Sequence, residues 1–343
     1  MTTRSPTQRS LPRSRGPSRR AFLVGGGSLF LGGCFGFAGA GSPGGDPRAS
    51  ISREPTLLVA TTRRPATPAG ERPFFGPERG TGLTFARARM TPPATGLTAR
   101  VTNIVSGGWQ VASVDDITSR EAADAFTRAA LGKDVLLYVH GYRETFESAA
   151  TSAAELADGI NFRGAPGLFT WPSAGATLDY AYDRESAMWS RDALEDLMLT
   201  LAQSPSGGRV HIVAHSMGSL LTLETLRMLR GSGGDRAMAR IGAVVLAAPD
   251  VDIDQFEQAV NRLGPDAPRI TVIVSSRDRA LMASQRIAGG VARAGAAERE
   301  RLTAMGVRVA DASEFGRGIL NHDLFLSNDE VRRVVQRAIE RAG

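Results

Sequence analysis

From Val135 onward the chain alternates short, uninterrupted apolar runs with helical stretches, and no other feature constrains the fold as tightly. The runs are Val135–Val139 (VLLYV), Gly167–Trp171 (GLFTW), Val210–Ala214 (VHIVA), Ile241–Ala247 (IGAVVLA), Ile270–Val274 (ITVIV) and Val307–Ala310 (VRVA). A strand that is apolar at nearly every position has both faces buried, which calls for a parallel sheet covered by helices on each side. Upstream, Leu57–Thr62, Leu83–Met90 and Trp109–Val114 predict further strands, the second alternating apolar and polar positions. Antiparallel strands followed by a parallel set give one mixed α/β domain over residues 56–343. Within it, helix Met217–Arg230 is expected to stop at Gly231, and Ser327 with Glu330 predicts a capping box on the last helix. Residues 172–183 lack periodicity and directly follow a strand, so they are expected to lie over the strands' carboxyl ends.

The first 33 residues differ in kind. They hold six arginines and no acid, and the remainder of the chain balances 35 basic against 35 acidic residues. The formal charge of +6 therefore sits in one segment, and the remainder carries no excess that would attract a phosphate backbone. No nucleic-acid partner is expected. Ser18-Arg19-Arg20-Ala21-Phe22-Leu23 leads into an apolar stretch that ends in Leu31-Gly32-Gly33-Cys34, the layout of an export signal over residues 1–34. The paired arginines resemble a twin-arginine motif, and Leu-Gly-Gly-Cys resembles a lipobox in which Cys34 is lipidated. Ala38-Gly39-Ala40 is a competing cleavage site that would release a soluble protein. An uncleaved anchor is a third reading, but seven of the 20 residues of the uncharged run 21–40 are glycine. Residues 35–55, rich in Gly, Pro and Ser, read as a tether. The expectation is an exported protein, periplasmic or attached to a membrane through Cys34.

Chemistry concentrates where strands give way to loops. Ala214-His215-Ser216-Met217-Gly218 fits the G-x-S-x-G nucleophile elbow with alanine first, a sharp turn that presents a serine hydroxyl at a helix amino terminus. Serine needs a base to take its proton and a carboxylate to orient that base. Of four histidines, His140 lies at a strand end, His211 inside a strand, and His215 beside the serine, pointing away from it; His322 follows the last strand in a loop. The acid belongs after an intervening strand, which admits Asp278, after Ile270–Val274, and Asp250, after Ile241–Ala247. If Asp278 is the acid, Asp250 either lines the pocket or caps the helix beginning near Asp252. His140 is expected to shape the oxyanion loop, and Trp171, Trp189, Tyr180 and Tyr182 to pack in the core or a cap. A single cysteine excludes an internal disulfide or a thiolate zinc cluster, and neither a phosphate loop nor a dinucleotide fingerprint is present, so no metal or cofactor is expected.

VHGY at 139–142, TWPS at 170–173, AHSMGS at 214–219, APDVD at 248–252, SSRD at 275–278 and NHD at 321–323 occur in the right order over about 200 residues. Together they resemble the α/β-hydrolase superfamily, and more narrowly a largely uncharacterised bacterial esterase/lipase-like family. The resemblance implies an α/β-hydrolase fold with Ser216 as nucleophile, Asp278 as acid and His322 as base. The expected activity is cleavage of a small-molecule or lipid carboxylic ester through an acyl-enzyme, with the backbone N–H groups of Tyr142 and Met217 as the oxyanion hole. A catalytically silent exported lipoprotein, using the same fold as a binding scaffold, is the alternative.

Overall fold

The structure, a computed structural model, describes residues 56–67, 70–93, 108–117, 133–176, 179–204, 208–287, 289–297, 299–315 and 324–342. Residues 1–55, on which the expected export signal, Cys34 and the expected tether fall, and His322 lie outside the described residues. Nine strands are described: β1 Thr56–Pro65, β2 Phe75–Thr91, β3 Gln110–Ile117, β4 Val135–Val139, β5 Ala165–Thr170, β6 Val210–His215, β7 Ile241–Ala247, β8 Ile270–Val274 and β9 Arg308–Asp311. They form one sheet in the order β3-β2-β1-β5-β4-β6-β7-β8-β9. From β1 to β9 every pairing is parallel, whereas β2 and β3 add antiparallel strands at one edge. This is the α/β-hydrolase arrangement, a mostly parallel sheet with helices on both faces.

The helices that cover it follow from the apolar positions between strands. They are α1 Phe146–Gly159, α2 Tyr180–Trp189, α3 Arg191–Gln203, α4 Met217–Ser232, α5 Gly234–Met238, α6 Ile253–Leu263, α7 Arg279–Ile287, α8 Arg299–Ala304, α9 Leu324–Ser327 and α10 Asp329–Glu340. Alternate strand residues serve opposite faces. Leu137, Val139, Ile212, Val244 and Leu246 join a core completed by Leu194 and Leu197 of α3, Leu221 and Leu229 of α4, and Phe256 of α6. Leu136, Tyr138, Val213 and Val245 turn the other way, against Phe146 and Leu156 of α1 and Val331 and Val335 of α10. Among the described residues, no helix is long and apolar enough to cross a membrane.

Three local expectations change. Helix α4 does not stop at Gly231 but runs on to Ser232; the left-handed residue that ends it is Gly234, at φ 57°. The cap of α10 is Asn328, whose side chain accepts from the N–H groups of Glu330 and Val331. Ser327 cannot serve because it closes the preceding short helix α9, while Asn328 has the extended backbone a cap requires. Part of the segment without periodicity is helix α2, whose buried side chains are Asp183, Ser186 and Ala187 rather than a large apolar stripe.

Glycine at 218 is fixed by packing rather than by dihedral preference. A Cβ there would lie 2.3 Å from the carbonyl oxygen of His140 and 2.7 Å from that of Val139, both backbone atoms of the β4 end. Gly218→Ala is therefore expected to cost about 1–3 kcal/mol by forcing α4 off the sheet. A chemical denaturation series with an unchanged m-value and a lowered midpoint checks this; an unshifted midpoint would show that the contact yields freely.

Candidate active site

Ser216 occupies the turn from β6 into α4 at φ 50°, ψ −120°. A non-glycine residue at positive φ costs on the order of 1–3 kcal/mol and persists where its surroundings over-determine it. Here the Ser216 N–H donates to Ala247 O at 2.9 Å, and its carbonyl accepts from Ser219 N–H at 3.0 Å and Asp250 N–H at 3.2 Å. Met217 is the first residue of α4, where a backbone N–H has no intrahelical acceptor. Across from it, Gly141 passes so close that a Cβ would stand 2.8 Å from His215 Nδ1 and 3.0 Å from Ser216 Cβ. Only glycine lets the loop after β4 pass this close and bring Tyr142 to the cavity that Ser216 lines.

That loop is held from behind by buried polar groups. His140 is fully buried, stacked on Trp171 with ring centroids 4.7 Å apart. The Trp171 N–H donates to His140 Nε2 at 3.1 Å, so Nδ1 carries the proton and donates to Gly141 O at 2.9 Å. Burial, and then the nearby Arg63 charge, hold His140 well below the ordinary imidazole pKa, so it stays neutral. Arg63, inside β1 and 1% exposed, donates to Thr170 Oγ1 at 2.9 Å, to Gly76 O and Ser173 O at 3.2 Å, and to Glu144 O at 2.6 Å. Burial lowers its pKa to about 10 against the opposing pull of Asp183. Asp183 accepts from Ser173 Oγ at 2.5 Å, Ala174 N–H at 2.8 Å and Arg143 N–H at 3.0 Å. Its own burial raises its pKa in spite of these bonds and of Arg63. The two residues clamp loop 143–145 to loop 173–176.

In front of Ser216 lies a cavity of about 330 Å³, bounded by Tyr142, Tyr180, His215, Leu281, Ser284 and Ile287 among others. Two further grooves, of about 420 Å³ beside Lys133 and about 500 Å³ beside Trp109, do not include Ser216. His215 borders this cavity rather than standing apart from it, its ring against Phe325 at 4.9 Å. Asp250 is also on the cavity wall and does not cap α6; Asp252 does, accepting from Asp254 and Gln255 N–H. Both Asp250 oxygens are engaged, Oδ2 by Tyr180 OH at 2.9 Å and Oδ1 by Ser284 Oγ at 2.5 Å. Arg293 Nε stands 3.2 Å from the same Oδ1, off the hydrogen-bond direction, so that contact is a buried ion pair. Asp278 is fully buried after β8, where Oδ1 accepts from Ala280 and Leu281 N–H and caps α7. Thus Ser216, Tyr142 and Asp250 meet at one cavity, and buried Asp278 caps the helix α7 that lines it. Trp171 and half-buried Tyr180 pack as expected, whereas Tyr182 and Trp189 are exposed and flank the Arg79 guanidinium. Arg63, Asp183 and Arg293 were not singled out from the sequence. Among the described residues no cluster of His, Cys, Asp or Glu could hold a metal ion.

This fold and this elbow define the α/β hydrolases. Residues 118–340 match the family described as alpha/beta hydrolase of unknown function (DUF900), and the chain belongs to it. An uncharacterised protein of Nostoc sp., alr1448, is 29% identical over 123 residues, which cover 28% of this chain and 32% of that protein. The matched part is about a third of that curated relative's length. Among solved structures, an uncharacterised Bacillus cereus protein is similar at TM-score 0.42 and 14% identity, covering 62% of this chain and 61% of that one. The Pyrobaculum calidifontis esterase is similar at TM-score 0.38 and 13% identity, covering 84% of both chains.

The neutral imidazoles generate a pH prediction. Burial lowers the pKa of both His140 and His211 in the folded state, so below about pH 6.5 the unfolded chain holds more protons than the fold. Stability is fully present above that pH and declines as the pH falls toward the folded values, by up to about 1.4 kcal/mol per unit for each imidazole. Denaturant midpoints at pH 7.5 and 5.5 measure it, and His211→Gln is expected to make the decline shallower.

Proposed function

We propose that the chain is a serine hydrolase that cleaves carboxylic esters through an acyl-enzyme on Ser216. The observation that carries this reading is the Ser216 backbone, strained at φ 50°, stapled on three sides and opening on a cavity with apolar walls. Strain of this kind serves to present a side chain. His322 takes the Ser216 proton as Oγ attacks the ester carbonyl, and the Met217 and Tyr142 N–H groups receive the developing oxyanion. Collapse breaks the acyl C–O bond, and His322 returns the proton to the leaving alcohol. Water, activated by the same histidine, then releases the acid and frees the serine. Asp278 orients the imidazole and stabilises its charged form. The positions after β6, β8 and β9 follow the order serine, acid, histidine. Asp250, with Tyr180, Ser284 and Arg293 on its carboxylate, is better suited to holding the cavity wall. In the cell we place the protein outside the cytoplasm, delivered by the Arg19-Arg20 signal and tethered through a lipidated Cys34.

Ser216→Ala is expected to lose turnover of chromogenic short-chain esters by on the order of 10⁴-fold or more and to lose fluorophosphonate labelling, with the thermal melt unchanged. Full hydrolysis by that variant would remove the mechanism. A wild-type chain that neither turns over esters nor takes the label would point to the silent scaffold.

The two acids separate by rank. Asp278→Asn is expected to lower kcat by on the order of 10²- to 10⁴-fold with little change in KM, and Asp250→Asn by about tenfold or less. The reverse order in folded variants would move the acid to the end of β7. For export, replacing Arg19 and Arg20 by lysine is expected to retain precursor in the cytoplasm, and a mature amino terminus at Gly41 would exclude lipidation at Cys34.

A further inference from the structure

Helix α7 forms one wall of the cavity, and its outward side carries an unusual combination. Met282, Ile287 and Val291 are 46%, 66% and 37% exposed, three of the six large hydrophobic residues exposed among the described residues. Residues 277–293 contain four arginines and one acid, and both Asp278 and Arg293 are buried. The outward charge of this segment is therefore that of Arg277, Arg279 and Arg286. Among the described residues none of the three pairs with a carboxylate. At about 100° per residue, Arg279, Met282 and Arg286 share one strip of α7, and Ala283 and Ile287 the next strip toward the cavity. Leu281 and Ser284 are the buried positions that hold the helix to the body.

Exposed apolar tips bordered by arginines match the surface of a negatively charged amphiphile layer. The tips suit the boundary between headgroups and acyl chains, and guanidinium groups pair with lipid phosphates. A second copy of the chain fits less well, because an isologous contact would set the three cations against their own images. We propose that this face docks on an anionic lipid surface, with Met282, Ile287 and Val291 entering the headgroup boundary and Arg277, Arg279 and Arg286 on the phosphates. Ile287 belongs both to this face and to the cavity lining, so the cavity mouth borders the docked lipid. Docking stands without any catalysis; delivery of a lipid ester to Ser216 rests on the hydrolase reading.

The test uses the full chain with Cys34→Ala, which leaves no native thiol, and Met282→Cys carrying an environment-sensitive NBD label. A control carries the label at Glu340→Cys, an exposed position beside the Lys133 groove at the strands' amino ends. Vesicles of phosphatidylglycerol mixed with phosphatidylcholine are expected to shift the emission at 282 to the blue, with no comparable shift at 340. Pure phosphatidylcholine is expected to leave both labels unchanged. Adding Arg277→Gln and Arg286→Gln is expected to weaken the response at 282 by about 30-fold in lipid concentration while hydrolysis of a soluble short ester is unaffected. Equal responses at 282 and 340 would overturn the proposal, since the amino-terminal segment alone would then be recruiting the chain. So would an equal response on neutral vesicles, or a lipid-free, concentration-dependent dimer that buries the label. A response at 282 in a chain without esterase activity would keep the docking face and remove the hydrolase reading.

Discussion

The site depends on how closely two stretches of backbone approach at the carboxyl ends of β4 and β6. The His140 carbonyl lies where a side chain at 218 would begin, and Gly141 passes the Ser216 Cβ with no room for a side chain of its own. Two missing Cβ atoms thus set the distance between the peptide groups after β4 and the start of α4. The backbone N–H groups of Tyr142 and Met217 flank this approach. Side chains enter afterwards, to keep the approach rigid.

Rigidity is spread along the sheet as a row of cross-strand bonds at the strand ends. Ser216 N–H reaches Ala247 O, Ala248 N–H reaches Ile273 O, and Ala312 N–H reaches Val274 O, at 2.8 to 3.0 Å. Ser216 and Ala248, the residues that break from strand geometry at positive φ, are each tied in this way to the neighbouring strand. Local strain is held by a neighbour that is itself held. Behind the loops, His140, Arg63 and Asp183 saturate backbone groups that a buried loop would otherwise leave unpaired. Their polarity is structural, and it surrounds the loops beside Ser216 with fixed dipoles.

Most of the sheet was legible because a buried parallel strand leaves an apolar run, and β4, β7 and β8 have the predicted limits. The elbow and the loop glycine were legible for a related reason, since tight turns admit few residue types. What leaves no mark in the sequence is polar and long-range. Arg63 falls just beyond the expected strand Leu57–Thr62 but inside β1, and its partners at 144, 170 and 173 come together only in the folded chain. Helix α2 hides because Asp183 and Ser186 occupy its buried side, where periodicity looks for large apolar residues. Asp250 lies in the loop after β7, where the sequence puts it, yet its contacts with Tyr180, Ser284 and Arg293 join three separate segments that no spacing rule connects. The helix ends at Gly231 and Ser327 were misread by one or two residues, the distance over which neighbouring polar residues compete for the same cap.

The family match begins at residue 118, but the guanidinium that secures the loops around the site belongs to β1. Strand β1 also pairs with β5 through Leu58 to Thr61, which leaves β5 no open edge. A fragment cut at the family boundary would expose a row of unpaired peptide groups along β5 and release the carbonyls of Glu144 and Ser173. Such a fragment would tend to associate edge to edge. The family match and the sheet therefore have different beginnings, and any expression fragment or domain graft of this chain has to include the strands that precede residue 118.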